Sequence, residues 1–220
     1  MLQKIFLIFI LIITNLLGKD AIKLEVPPYS NSPVHTGIKI KFEESMKKGD
    51  KVIVNIYNQQ AFELINNSSN PIKYIKTYIR LFSSNMEHPI NVKLIKNNGN
   101  IITASTKIQC SYGGRRIELY GEPTNRLKVK QKENNAKLII ENEMHRVNYI
   151  DMVKIKSSQG DITIKTTPLL SDRLLFKIRA KNDFDKLTVT AHISDKIYTV
   201  GLNSSEKNVL KKYKNKKIKK

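Results

Sequence analysis

The sequence predicts an all-β protein built from antiparallel sandwiches. Three observations predict it. Apolar and polar residues alternate with period two through most of the chain beyond its N-terminus, the pattern of strands with one buried and one wet face. The runs recur roughly every 8–12 residues with turn residues between them, as in sandwiches rather than parallel sheets. No helical period of useful length appears outside the first residues. Two immunoglobulin-like sandwiches in tandem, at 20–114 and 126–205, accommodate these runs.

Taken in order, the chain opens on a secretory signal peptide at 1–18. It has one cation at Lys4, the apolar run IFLIFILII and the small residue Gly18. The run is shorter than the ~20 residues of a spanning helix. An uncleaved N-terminal anchor is the alternative. Either way the protein is expected outside the cytoplasm, periplasmic or secreted. Strands are expected at IKLEV (22–26), IKIKF (38–42), VIVNIY (52–57), YIKTYIRL (74–81) and INVKLI (90–95). Asn98 and Gly99 form a hairpin turn signal, and STKIQCSY (105–112) is the returning strand. The stretch 113–125 has three glycines, a proline and no sustained period, and its 115–125 portion is assigned as a linker. Strands resume at LKVKQ (127–131), AKLIIE (136–141), NYIDMVKI (148–155) and DITIK (161–165). LLFKIRA (174–180), KLTVTAHI (186–193) and KIYTVGL (196–202) complete the set. Turns are expected at 158–160 and at 194–195.

The net charge is +20, and eight of the lysines lie between Lys207 and Lys220. Removing those eight and Lys4 leaves +11 on the body. The segment 206–220 is expected to be a disordered, solvated tail, since runs of like charge repel. A basic body with a more basic tail selects for anionic partners: an acidic protein, an anionic metabolite or an anionic surface met by the lysine-rich tail. Nucleic acid is not expected, because no recognition motif is present. The single cysteine rules out an internal disulfide, so packing must hold the fold.

Chemistry is sparse. His35, His88, His145 and His192 are scattered, with no second ligand at metal-binding spacing. His192, inside an alternating run, reads as structural. No nucleophile elbow, phosphate loop or dinucleotide fingerprint occurs. An enzyme acting alone is therefore not expected, nor any cofactor. The sequences NNSS (66–69) and NSS (203–205) match the glycosylation acceptor pattern, as chance would allow in a chain rich in Asn and Ser. Cys110 remains. Strand parity groups it with Ile108 and Tyr112 on an apolar face, and cysteine is among the most buried residue types. Against that, Gly113 and Gly114 are placed to end the strand and expose the thiol, and Arg115 and Arg116 are placed to favour its thiolate.

The order of these features resembles the SoxY and SoxZ sulfur-carrier proteins of bacterial thiosulfate oxidation, joined in one chain. IKLEVPPYSNSPVHTGIKIKF, YIKTYIRL and NNGNIITASTKIQCSYGG resemble SoxY segments; NRLKVKQKENNAKLIIENEM and the stretch from YIDMVKIK to FDKLTV resemble SoxZ. The resemblance implies two immunoglobulin-like sandwiches packed together in the periplasm, docking to sulfur-oxidation enzymes. It also implies a thiol that holds sulfur intermediates covalently on a flexible glycine arm. In an ungapped match Gly113 and Gly114 fall on the first two arm glycines, Arg115 falls where the carrier cysteine belongs, and Cys110 lies in the preceding strand. Two readings follow. One is a sulfur carrier or accessory using Cys110, with Gly113, Gly114, Arg115 and Arg116 as its arm and flank. The other is a non-catalytic exported binding or adhesin-type module that has lost the carrier cysteine.

Overall fold

The computed structural model describes residues 21–30, 35–81, 87–110, 128–132, 137–143, 149–170, 173–193 and 196–202. The segments expected to be a signal peptide (1–18), a linker (115–125), a turn (194–195) and a lysine-rich tail (206–220) lie outside the described residues. The first half contributes β1 (Ile22–Glu25), β2 (Tyr29–Ser30), β3 (Thr36–Met46), β4 (Lys51–Ile56), β5 (Gln59–Asn66), β6 (Ile72–Ile79), β7 (Glu87–Ile95) and β8 (Ile101–Cys110). The second contributes β9 (Lys128–Lys132), β10 (Lys137–Glu143), β11 (Ile150–Ser157), β12 (Gly160–Thr166), β13 (Arg173–Ala180), β14 (Leu187–Ile193) and β15 (Lys196–Leu202).

These strands form two sheets in a sandwich-like arrangement, consistent with the immunoglobulin-like class. The smaller has six strands in the order β1-β3-β6-β13-β10-β9. The larger has nine, in the order β15-β14-β11-β12-β5-β4-β7-β8-β2. Pairing is antiparallel throughout except for β2, whose Tyr29 and Ser30 run parallel to Gln109 and Cys110 of β8. After β1 the chain passes through Pro27 and Pro28 from the six-stranded sheet to the nine-stranded one. Neither proline has a backbone N–H to give to a ladder.

Both sheets cross from the first half to the second. In the six-stranded sheet β6 pairs with β13, with Ile75 opposite Ile178. In the nine-stranded sheet β5 pairs with β12, with Leu64 opposite Ile164. The apolar halves of the alternating pattern meet between the sheets in one connected core. Phe62 of β5 and Phe176 of β13 touch edge to face across it, ring centroids 5.3 Å apart and planes at 79°. Such a contact adds about 0.5–1.5 kcal/mol beyond the area it buries.

Two loops fix the register. Lys96 to Asn100 closes the β7–β8 hairpin at the expected Asn98-Gly99, with Gly99 at φ 85°, where glycine alone is unstrained. Gly160, at φ 111°, ends the turn between β11 and β12, and a Cβ there would lie 2.8 Å from the carbonyl oxygen of Asn67. That close approach belongs to the β5–β6 connection, which knits the halves together. Asn70 Nδ2 donates to the Asn182 carbonyl at 2.8 Å, and Asn182 N–H donates to Asn70 Oδ1 at 2.9 Å. Asn66, first of the NNSS acceptor pattern, is fully buried and donates to the Met46 carbonyl at 3.1 Å. Its amide is structural and closed to glycosylation.

Two strands were not legible in the sequence. β5 breaks the alternation because Ala61 and Phe62 are consecutive and both buried. A register irregularity between Val54 and Asn55 accommodates them. β2 is two residues long and carries no period.

Candidate functional site

Cys110 closes β8 with its side chain fully buried, 0% exposed, on the inward face that strand parity assigns. Ser30, its parallel partner, shares a 2.6 Å hydroxyl–hydroxyl bond with Thr36, and both are buried. Burial pushes the thiol above its ordinary pKa, so the thiolate is disfavoured. Gly113, Gly114, Arg115 and Arg116 lie outside the described residues, as does His145. The structure therefore places one of the five candidate carrier residues, and places it in the core.

The remaining histidines occupy separate places. His88 is buried, with Nδ1 3.2 Å from the Tyr57 hydroxyl, and that ring stands 5.5 Å away at 66°. His192 is half-buried in β14. His35 is exposed and stacks on Tyr78 at 3.9 Å and 11°. Among the described residues no group of three or more His, Cys, Asp or Glu side chains is placed to hold a metal ion.

The concentrated chemistry is instead on the outer face of the six-stranded sheet. Ile38, Ile40, Ile75 and Ile178 turn inward, so their alternate neighbours turn outward. In register, Lys39 of β3 lies opposite Lys76 of β6, which lies opposite Lys177 of β13. The adjacent row runs Lys23, Lys41, Tyr74, Arg179 over β1, β3, β6 and β13. Backbone pairing continues that row to Lys137 and Lys132 on β10 and β9. The carboxylate of Glu25 enters the patch. Glu25 pairs with Lys39 at 2.9 Å and with Lys41. These two ammonium groups, Lys41 first, hold its pKa down at about 2. Lys39 also lies 5.1 Å from the centroid of the Tyr74 ring, a cation–π distance. Among the described residues Lys23, Lys76 and Lys177 have no carboxylate partner.

A cleft of about 390 Å³ opens at the β1 end of this face. Val26 and Pro27 give it an apolar side, with the Ile38 backbone behind them; Tyr78 is a flat wall, and Lys39, Lys76 and Glu25 stand at its polar side. Gly37 forms part of the lining opposite Tyr78 in register. A Cβ there would lie 3.4 Å from the Tyr78 ring, in van der Waals contact with it. This cleft and the lysine rows were not singled out from the sequence. Their signal was the identity of the polar residues in IKIKF, YIKTYIRL and LLFKIRA; what was missing was the register that sets them side by side.

No family model matches this chain, and no curated protein matches it. Among solved structures the chain is similar to one described as giving insight into host cell surface retention of a 1.5-MDa bacterial ice-binding adhesin. The match has a TM-score of 0.28 and 9% identity, and covers 82% of this chain and 60% of that one. The chain thus spans less than two thirds of that structure's length.

Proposed function

We propose that this chain is a non-catalytic, exported binding module that docks an acidic segment of a protein partner on the basic face of its six-stranded sheet. The observation that carries the reading is the row Lys39–Lys76–Lys177, three lysines directly opposite one another on adjacent strands. Like charges so placed destabilise a sheet by about 0.2–1 kcal/mol per pair. Strands about 4.8 Å apart sit well inside the ~8 Å screening length of physiological salt. A face tuned for stability alone alternates its signs, as the other sheet does where Glu63 stands between Lys51 at 3.9 Å and Lys165 at 3.5 Å. Lys39 takes that gain from Glu25, but Lys76 and Lys177 forgo it, and an acidic partner supplies the missing charge. The lysines of the 206–220 tail add to the same field and favour encounter with anions.

Sulfur carriage on Cys110, which the SoxYZ resemblance implies, is disfavoured by the position of the thiol. An adduct forms on a thiolate that a partner can reach, and this sulfur is buried with its pKa raised.

The test is binding of a fluorescein-labelled all-glutamate peptide to the mature chain, read by anisotropy across a salt series. The triple variant Lys39→Gln, Lys76→Gln, Lys177→Gln is expected to bind about tenfold or more weakly, with a shallower salt dependence. Equal binding by parent and variant overturns the assignment to this face. Stronger parent binding to anionic lipid vesicles than to the peptide overturns the choice of a protein partner.

A further inference from the structure

We infer that the cleft beside Gly37 is the specificity pocket of this docking face, accepting an acidic segment in which an apolar side chain stands next to a carboxylate. The inference rests on the docking reading and names what that face selects. Three features converge on it. The face already seats one carboxylate of its own, Glu25, between Lys39 and Lys41. The next cation along the row, Lys76, lines the cleft and has no carboxylate partner among the described residues. An incoming carboxylate therefore meets Lys76 on the side away from Glu25, with Lys177 next in register.

The second feature is the apolar side. Val26 and Pro27 are half-buried and line the cleft together with the face of Tyr78. A volume of about 390 Å³ suits one side chain and its adjoining backbone, at the lower end of ligand pockets generally. Apolar walls beside a lysine favour an amphipathic pair over a carboxylate alone, because area removed from water adds to charge neutralisation.

The third is Gly37. Its φ lies outside the left-handed region, so the strand does not need glycine for its backbone. What the glycine provides is room: a Cβ would reach the Tyr78 ring at 3.4 Å, and branched atoms beyond it would occupy the cleft. Tyr78 in turn is held by its stack with His35 at 3.9 Å, so the wall is preorganised.

The experiment compares two fluorescein-labelled peptides on the full mature chain: an all-glutamate heptapeptide and its counterpart with leucine at the centre. The parent is expected to bind the leucine peptide about tenfold more tightly. Gly37→Val, which fills the cleft without changing charge, is expected to bind both peptides equally while keeping their salt dependence. As a measure that needs no variant, the Val26 methyl resonances of the parent are expected to shift on adding the leucine peptide and to stay in place with the all-glutamate one. A leucine preference that survives in Gly37→Val, or Val26 methyls that stay in place, overturns the pocket and leaves the docking face standing. Failure of the parent to bind either peptide overturns both.

Discussion

Cys110 ends β8 fully buried, its backbone in parallel register with Ser30, whose hydroxyl pairs with that of Thr36. The expected outcome is a thiol silent toward maleimide in the native protein and fully reactive in urea, read by intact mass. Labelling of the native chain would show that the thiol leaves the core. Cys110→Ser places a hydroxyl in that site and is expected to cost about 1–3 kcal/mol, checked by urea unfolding. Glu25 is the opposite case, a partly exposed group whose chemistry is set by its two lysines. Its folded pKa of about 2 lies below the ordinary 4.5. Its contribution is therefore fully present above pH 4.5 and is lost as the pH falls toward 2. Solvent screens the pair, so the effect is modest. Glu25→Gln is expected to lower the unfolding midpoint slightly at neutral pH and to flatten its acid limb, so that parent and variant converge as the pH falls toward 2. An identical acid limb in parent and variant would show that the ion pairs contribute nothing.

Strands β3, β6 and β13 were each legible, because period-two alternation forces their isoleucines to one side and their lysines to the other. β5 was not, because Ala61 and Phe62 are both buried and β5 bulges at Ala61, its extra residue opposite the Val54–Asn55 step of β4. The pairing partners were not legible either, since alternation fixes which face a residue takes and not which strand lies alongside. That gap hid the candidate site: Lys39, Lys76 and Lys177 are far apart in sequence and meet only through register. Register also yields a prediction with two opposed readouts. Lys76→Glu puts a carboxylate between Lys39 and Lys177, converting two like-charge contacts into two opposite-charge ones. It is expected to raise stability by about 0.5–1 kcal/mol in urea unfolding and to weaken binding of an acidic peptide about tenfold. A variant both less stable and equally able to bind would mean that the row has neither the cost nor the use assigned to it.

At the scale of the molecule, composition and strand spacing were enough for the all-β sandwich class, and they divided the chain into two runs of strands. They did not show that both sheets pass from one run into the other. The reason is physical: β5–β12 and β6–β13 are long-range pairs whose partners carry no mutual signal in a single sequence. The consequence is testable on the halves themselves. Cut between 114 and 126, the first piece would expose the ladder edges of β5 and β6 and the ring of Phe62; the second would expose those of β12 and β13 and the ring of Phe176. Open edges of this kind template association, and an uncovered phenylalanine forfeits about 1.5–3 kcal/mol. Asn70 and Asn182 would also lose their reciprocal bonds. Each piece made alone is therefore expected to self-associate or remain unfolded. The two produced together are expected to elute as one complex with the strand content of the intact chain. Size-exclusion chromatography with circular dichroism decides it: two stable monomers that ignore each other would mean that each half closes its own sheets, and that the shared pairs hold nothing together.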